Sequence, residues 1–414
     1  MKIFWIGGVV EDNDFKVMLQ NGNTQIAANK TQLNYIEGIE DVTGKSVKIL
    51  NSHFEPAYPK YKKLFIKKRK WIRKGQENID IGFINIPIFK YINKSIALKK
   101  EMKKIIKYNT SDKEMNIFFI YAMTAPLMLL APFIKKYMRN KKYTICLIVP
   151  DLPEFMNMSK QSKLKELLLK INRKVIYSCL KYIDKYVLFA ESMVDYLKLS
   201  TNDYIVIEGM VNLKERDKIE STTKSSKKDY IMYAGGINEK YGVLNLAKAF
   251  HEIKSNNIEL WLYGKGDAVD KIEDISKEDR RIKYKGIVSN DKIIQLEKEA
   301  KLLVNPRPTN EEYTKYSFPS KIMEYMVSGT PVLTTRLLGM PTEYYDYIYC
   351  FNDESIEGMN KTLVAILNRS TEELENKGNS AKKFVLENKN NKVQVRKIID
   401  LITRRMKNAS SYHG

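Results

Sequence analysis

The strongest constraint on the fold is an alternation of short apolar runs with amphipathic stretches, and it occurs twice. In the first half, residues 2–10, 46–50, 79–83, 116–121, 143–149 and 185–190 read as buried strands, and residues 25–39 and 163–183 as helices. This rhythm predicts a parallel sheet with helices on both faces. Residues 212–229 interrupt it with a polar stretch rich in Lys, Glu, Ser and Thr and without apolar period, which is linker composition. The alternation then restarts, with strands at 230–234, 258–263, 282–285, 301–304 and 332–335 and helices at 243–253, 290–299 and 321–326. The expected fold class is α/β, with two doubly wound Rossmann-like domains facing each other across a cleft. The expected boundaries are 1–211 for the first domain, 212–229 for the linker and 230–390 for the second. A last helix at 392–406, within 391–414, is expected to pack back on the first domain. Ligands of such sheets bind outside the carboxyl ends of the strands.

A chain of 414 residues exceeds what one core usually supports, and 43% hydrophobic with 11% aromatic residues gives two cores ample material. No apolar run reaches about 18 residues, the length that suggests a membrane span. The start MKIFWIGGVV reads as a first strand rather than a leader, so a cytoplasmic location is expected. Cys146, Cys179 and Cys350 are widely spaced and suit a reducing compartment. His53, His251 and His413 stand at no ligand spacing, so no metal and no cofactor are expected.

Charge is the unusual feature. Lys and Arg total 71 against 49 Asp and Glu, a net charge of +22. Residues 60–74 carry nine basic residues and no acidic one, interleaved with Leu64, Phe65, Ile66, Trp71 and Ile72, and residues 134–142 carry five more. That mixture suits an interfacial segment on an anionic membrane, with Lys67, Lys68, Arg69 and Lys70 at its centre. Nucleic-acid binding is disfavoured, because no base-reading motif accompanies the charge.

The chemistry concentrates in residues 305–331, NPRPTNEEYTKYSFPSKIMEYMVSGTP. A strand ends near Val304, and Ser317 and Pro319 are positioned to open a helix that ends at Gly329. A helix N-terminus offers unpaired N–H groups and a positive dipole end, which suit a diphosphate. Arg307 and Lys321 add cationic charge there. Glu324, one turn on and expected to be buried, is suited to accept hydrogen bonds from the vicinal hydroxyls of a ribose.

This segment resembles the retaining GT-B glycosyltransferases of family 4, and SFPSKIMEYMVSGTPVLTT with GMPTEYYDYIY looks like the branch of bacterial capsule and exopolysaccharide clusters. The family signature has two Glu residues at this helix. Glu324 matches the second, which implies a ribose contact. Tyr316 stands where the first, sugar-contacting Glu belongs, so Tyr316, Ser317, Phe318, Pro319 and Ser320 become the donor-binding candidates beside it. The family's Gly-Arg and Lys-Gly pairs correspond to Gly235-Gly236 and Tyr241-Gly242. Both cations are missing, although Lys240 is adjacent, and Arg307 and Lys321 are inferred to replace them. Gly264 and Gly266, in YGKGD, are similar to the family's turn beside the nucleotide base.

The resemblance also implies Asp151, in VPDLPEF, as the group that positions or deprotonates an acceptor hydroxyl. Gly7 and Gly8 are candidates for a loop approaching donor or acceptor. Gly209 is a candidate hinge. Asp12-Asn13-Asp14 superficially matches a metal-binding Asp-x-Asp of another fold and is rejected. The implied reaction moves a sugar from a nucleotide diphosphate sugar, a UDP-sugar, to a hydroxyl of a lipid-linked or polysaccharide acceptor, with retention and without metal. Asp151, Arg307 and Lys321 are the catalytic candidates. The expected location is peripheral on the inner face of the cell membrane. The alternatives are a non-catalytic GT-B subunit that binds a glycan or partner enzyme, and a sugar-nucleotide epimerase.

Overall fold

The computed structural model describes residues 1–10, 26–155, 163–213, 227–254 and 257–410. Asp12, Asn13, Asp14, most of the 212–229 stretch and His413 lie outside the described residues. The chain divides into two compact units, Met1–Ile207 with Asn391–Gly414, and Glu208–Asn390.

The first unit begins with β1 (Lys2–Gly7), α1 (Ile26–Thr43) and β2 (Lys48–Asn51). Four short strands follow: β3 (Phe65–Ile66), β4 (Arg69–Arg73), β5 (Gln76–Asp80) and β6 (Phe83–Ile84). Then come α2 (Phe89–Tyr108), β7 (Asn116–Tyr121), α3 (Ala125–Met128), α4 (Leu130–Tyr137), β8 (Tyr143–Val149), α5 (Lys163–Ser178), β9 (Lys185–Leu188), α6 (Ser192–Leu197) and β10 (Tyr204–Val206). The sheet order is β10-β9-β8-β7-β1-β2-β5-β4, parallel except for β4, which runs antiparallel to β5. β7 is buried at every position and β8 at all but Tyr143. Those are the continuous apolar runs that a strand covered on both faces requires. The strand order reverses between β1 and β7.

The basic run 60–74 is the main departure from expectation. It forms β3 and the edge strand β4 instead of a free interfacial segment. Trp71 is buried on β4 and its indole N–H donates to Asp80 Oδ1 at 2.8 Å. Arg69 Nε pairs with Asp80 at 3.0 Å, Lys68 with Glu101 at 2.8 Å and Lys70 with Glu77 at 3.1 Å. Three of the four proposed membrane cations therefore already hold carboxylates.

The second unit contains β11 (Lys228–Ala234), α7 (Val243–His251), β12 (Glu259–Tyr263), α8 (Val269–Glu278), β13 (Ile282–Tyr284), α9 (Asn290–Glu299) and β14 (Ala300–Asn305). It continues with α10 (Ser320–Ser328), β15 (Val332–Thr334), β16 (Tyr349–Cys350), α11 (Ile356–Leu367) and α12 (Thr371–Asn388). Its sheet, β13-β12-β11-β14-β15-β16, is parallel throughout, and its strand order reverses between β11 and β14. One apolar cluster packs α7, α8 and α11 on one face, around Phe250 and Leu260. A second, around Tyr230, Tyr325 and Tyr344, packs α10 and α12 on the other.

The last helix, α13 (Asn391–Ser410), belongs to the first unit. It lies against α1 so closely that a Cβ at Gly38 would stand 2.7 Å from the Asn391 carbonyl and Val395.

Candidate functional site

The carboxyl ends of β11, β12 and β14 meet at the switch point of the second unit, where doubly wound sheets leave a crevice. Glycines let the backbone close up there. A Cβ on Gly264, at φ 134°, would stand 1.7 Å from the Gly235 carbonyl, and one on Gly242, at φ 75°, 2.0 Å from the Pro306 carbonyl. Gly266 is equally tight against the Ile237 carbonyl, at 2.0 Å. The loops after three strands are thereby packed backbone to backbone around one spot.

Side chains fill that spot from α10 and the loop after β14. Lys321, in the first turn of α10, lays its Cε 2.7 Å from where a Gly235 Cβ would be. Arg307 follows β14 and is held by its main chain, whose carbonyl accepts from the Thr335 hydroxyl. Its guanidinium carbon lies 5.2 Å from the Tyr241 ring and 5.5 Å from the Tyr313 ring. Arg307 Nε is buried and has no hydrogen-bond partner among the described residues. Buried donors are nearly always paired, so an orphaned guanidinium nitrogen marks a place for an acceptor.

Tyr233 and Tyr325 brace the floor. The Tyr233 hydroxyl donates to the Gly236 carbonyl at 2.9 Å, and burial pushes its pKa up against the opposing charge of Arg307. The Ala234 N–H donates to the Tyr325 hydroxyl at 2.9 Å, tying the end of β11 to α10. Of Tyr233, Tyr241, Tyr313 and Tyr325, the sequence singles out Tyr241 alone, and that as the residue in place of the family's Lys. The one sequence trace of them is an excess of tyrosine beside glycine and arginine in these loops.

The opening of α10 differs from expectation. Ser317 does not cap it; its hydroxyl donates to the Tyr313 carbonyl at 3.1 Å and closes the preceding turn, Glu312–Tyr316. Pro319 occupies the N-cap position, without a side-chain cap bond, and Ser320 opens the helix. The first N–H groups of α10 thus lack a side-chain cap. Phe318 and Pro319 are buried, and Tyr316 is half-buried at the end of the short turn. Glu324 was expected to be buried. It is exposed, because Ile322, Met323, Tyr325 and Met326 take the inward face of α10.

In the first unit, Asp151 follows β8 beside the end of β7. The residue is exposed, yet surrounding protein strips water from the carboxyl and raises its pKa, and its charge in turn bears on buried Tyr121. A carboxylate with raised affinity for a proton suits a general base. Gly7 and Gly8 leave room for neighbouring side chains. A Cβ on Gly7 would stand 2.2 Å from Gln32 Oε1, and one on Gly8 2.8 Å from the Phe54 ring. The Gly8 N–H already donates to Gln32 Oε1 at 2.9 Å, and those of Val9 and Val10 to Asn51 and Asn29. The N–H groups of Gly8, Val9 and Val10, the described residues after β1, are thus all bonded within the first unit.

Residues 228–369, most of the second unit, match the family model described as glycosyl transferases group 1. A search of curated proteins finds no match. Solved structures match over the whole chain. Sucrose-phosphate synthase from Thermosynechococcus elongatus has a TM-score of 0.61 at 14% identity, over 99% of this chain and 100% of that one. The Anabaena protein HepE in complex with UDP has 0.64 at 12%, over 98% and 100%. The lipopolysaccharide outer core galactosyltransferase WaaB, in its apo form, has 0.60 at 15%, over 98% and 100%. Together they show that the fold is that of GT-B glycosyltransferases.

Proposed function

We propose that this chain is a glycosyltransferase that moves a sugar from a nucleotide diphosphate sugar, a UDP-sugar, to a hydroxyl of a lipid-linked or polysaccharide acceptor, with retention, in cell-surface glycan synthesis. The observation that carries the reading is the convergence of Lys321, the unpartnered Nε of Arg307 and the uncapped start of α10 on glycines at the switch point of the second unit. Such a set neutralises a diphosphate, and the leaving group of sugar transfer is a nucleoside diphosphate whose charge grows as the glycosidic bond breaks. Exposed Glu324 is free to meet a ribose without the desolvation cost of a buried carboxylate. Asp151 is the proposed group for positioning or deprotonating the acceptor hydroxyl. The match of residues 228–369 and the fold support this reading. An inner-face membrane location belongs to it, since a lipid-linked acceptor is met there.

Calorimetric titration with UDP, followed by a nucleotide-release assay across donor sugars, tests it. UDP binding that vanishes in Glu324→Ala is the expected result, and a folded wild-type chain that binds no nucleotide refutes the proposal. A second reading, a non-catalytic subunit, is favoured by Tyr316 in place of the sugar-contacting Glu. It predicts nucleotide or glycan binding without release of product from any donor.

A further inference from the structure

Helix α2 divides its surface sharply. Lys90, Lys94, Leu98, Met102, Ile105 and Ile106 are on the buried side. Along the opposite stripe, at helical spacing, run Phe89, Ile92, Ile96, Lys100, Lys103 and Lys107. The first three are apolar and stand in solvent, at 63%, 56% and 64% exposure. The three lysines are exposed too.

The apolar surface continues off the helix. Ile84, Ile86 and Ile88, all exposed, lead into α2, and exposed Phe65 pairs with Ile84 across the β3–β6 ribbon. The ribbon is fixed beside the helix: β6 packs on α2, and Lys94 Nζ lies 4.3 Å from the centre of the Phe83 ring. Ile88, at φ 68° and ψ −56°, takes a positive φ that a β-branched residue adopts only at a cost. In water that cost presents an isoleucine to solvent. A surface that buries Ile88 and its neighbours offsets it.

The surroundings carry one sign of charge. No acidic residue occurs in 56–76 or in 81–100. Asp80 and Glu101 are buried in ion pairs with Arg69 and Lys68, and Glu77 bonds Lys70. Lys62, Lys63 and Lys67 are exposed on the ribbon side. Bulky aliphatic groups inside a lysine collar are unlike the core of a protein interface, where lysine is depleted. They match the requirements of an anionic bilayer: aliphatic groups enter the acyl boundary while lysine stems stay with the headgroups.

The geometry points to this surface, Phe65 with Ile84 to Ile96 and the lysine stripe of α2, as the site where the first unit docks on an anionic lipid bilayer. Docking then rests on inserted side chains of α2 rather than on the cluster at Lys67 to Lys70. The inference deepens the lipid-linked acceptor part of the proposed function, but its test needs no turnover, so either can fail alone.

The full chain is sedimented with phosphatidylcholine vesicles, with and without phosphatidylglycerol. Binding is expected only with phosphatidylglycerol. The triple variant Phe89→Ser, Ile92→Ser, Ile96→Ser is expected to lose about a hundredfold in affinity while keeping its melting transition, since all three residues are already more than half exposed. Lys100→Gln, Lys103→Gln, Lys107→Gln is expected to lose most of the preference for anionic lipid. Ile92→Trp reports insertion, by a blue shift of its emission on anionic vesicles alone. Unchanged vesicle binding by the serine triple, or equal binding to neutral vesicles, overturns the inference. So does binding that is lost on neutralising Lys67, Lys68, Arg69 and Lys70 but kept in the serine triple. Self-association in sedimentation equilibrium that the serine triple abolishes, without vesicle binding, also overturns it and assigns the patch to a second copy.

Discussion

Gly235→Ala tests whether Lys321 owes its place at the strand ends to the missing side chain at 235. The new Cβ would lie 2.7 Å from Lys321 Cε and 2.7 Å from the Tyr233 hydroxyl. Carbon atoms in contact stand about 3.5 Å apart, so something retreats by about 0.8 Å. Tyr233 is buried and its hydroxyl is bonded to the Gly236 carbonyl. Lys321 is half-buried and ends a flexible stem, so it yields first. A charge-assisted hydrogen bond to phosphate contributes roughly 1.5–3 kcal/mol, and losing its alignment costs about half of that. UDP affinity measured by calorimetry should therefore fall about fivefold in Gly235→Ala and about thirtyfold in Lys321→Ala. The double variant should bind no worse than Lys321→Ala alone, a coupling of about 1 kcal/mol. Unfolding in urea serves as the control, with a loss of about 1 kcal/mol from crowding at Tyr233. If the two affinity losses add, or if Lys321→Ala binds UDP as the wild type does, Lys321 does not act on the diphosphate through the space above Gly235.

Three further outcomes follow from the same geometry. Gly264→Ala places a Cβ 1.7 Å from a main-chain carbonyl at φ 134°, so denaturant unfolding should show a loss of about 3 kcal/mol or more. Glu324→Ala removes an exposed carboxylate and should leave stability within about 0.5 kcal/mol while removing nucleotide binding, which separates a ligand contact from a structural one. Burial pushes Asp80 up, but its bonds with His53, Asn51 and Trp71 outweigh this and hold it at about 2, against an ordinary 3.8. The folded value is the depressed one, so the stabilisation, about 2 kcal/mol, is complete above pH 4 and is lost as pH falls through 2. Acid titration of unfolding free energy should show that slope in the wild type and a shallower one in Asp80→Asn.

Much of this architecture was legible wherever a strand is covered on both faces. Residues 116–121 and 143–149 coincide with β7 and β8 because burial on every side leaves only apolar choices. The run 60–74 was not legible. β4 is an edge strand with one buried residue, Trp71; the carboxylates that hold its cations come from Glu77, Asp80 and, for Arg73, from Glu40 on α1, and Lys68 just before it is held by Glu101 on α2. A count of charge along the chain cannot see partners that only the fold supplies. The burial expected for Glu324 failed for a similar reason: an apolar helix fixes which face is inward only once the positions of Ile322, Met323, Tyr325 and Met326 are taken together.

The site shows how a departure from a motif is absorbed in space. Gly236 and Tyr241 stand where the resemblance leads one to expect Arg and Lys. A Cβ at Gly236 would meet Tyr241 Cε2 at 2.9 Å, so the tyrosine edge occupies the room of a side chain at 236, and the same ring faces the Arg307 guanidinium. Lys321 takes the room at 235 in the same way. A long cation restored at 236 would compete with Tyr241 and unseat Arg307. Gly236→Arg is therefore expected to weaken UDP binding in this chain, although it brings the motif closer to the family pattern. Stronger binding by Gly236→Arg, measured beside Arg307→Ala, would show that the two cations act independently and that Tyr241 merely fills space.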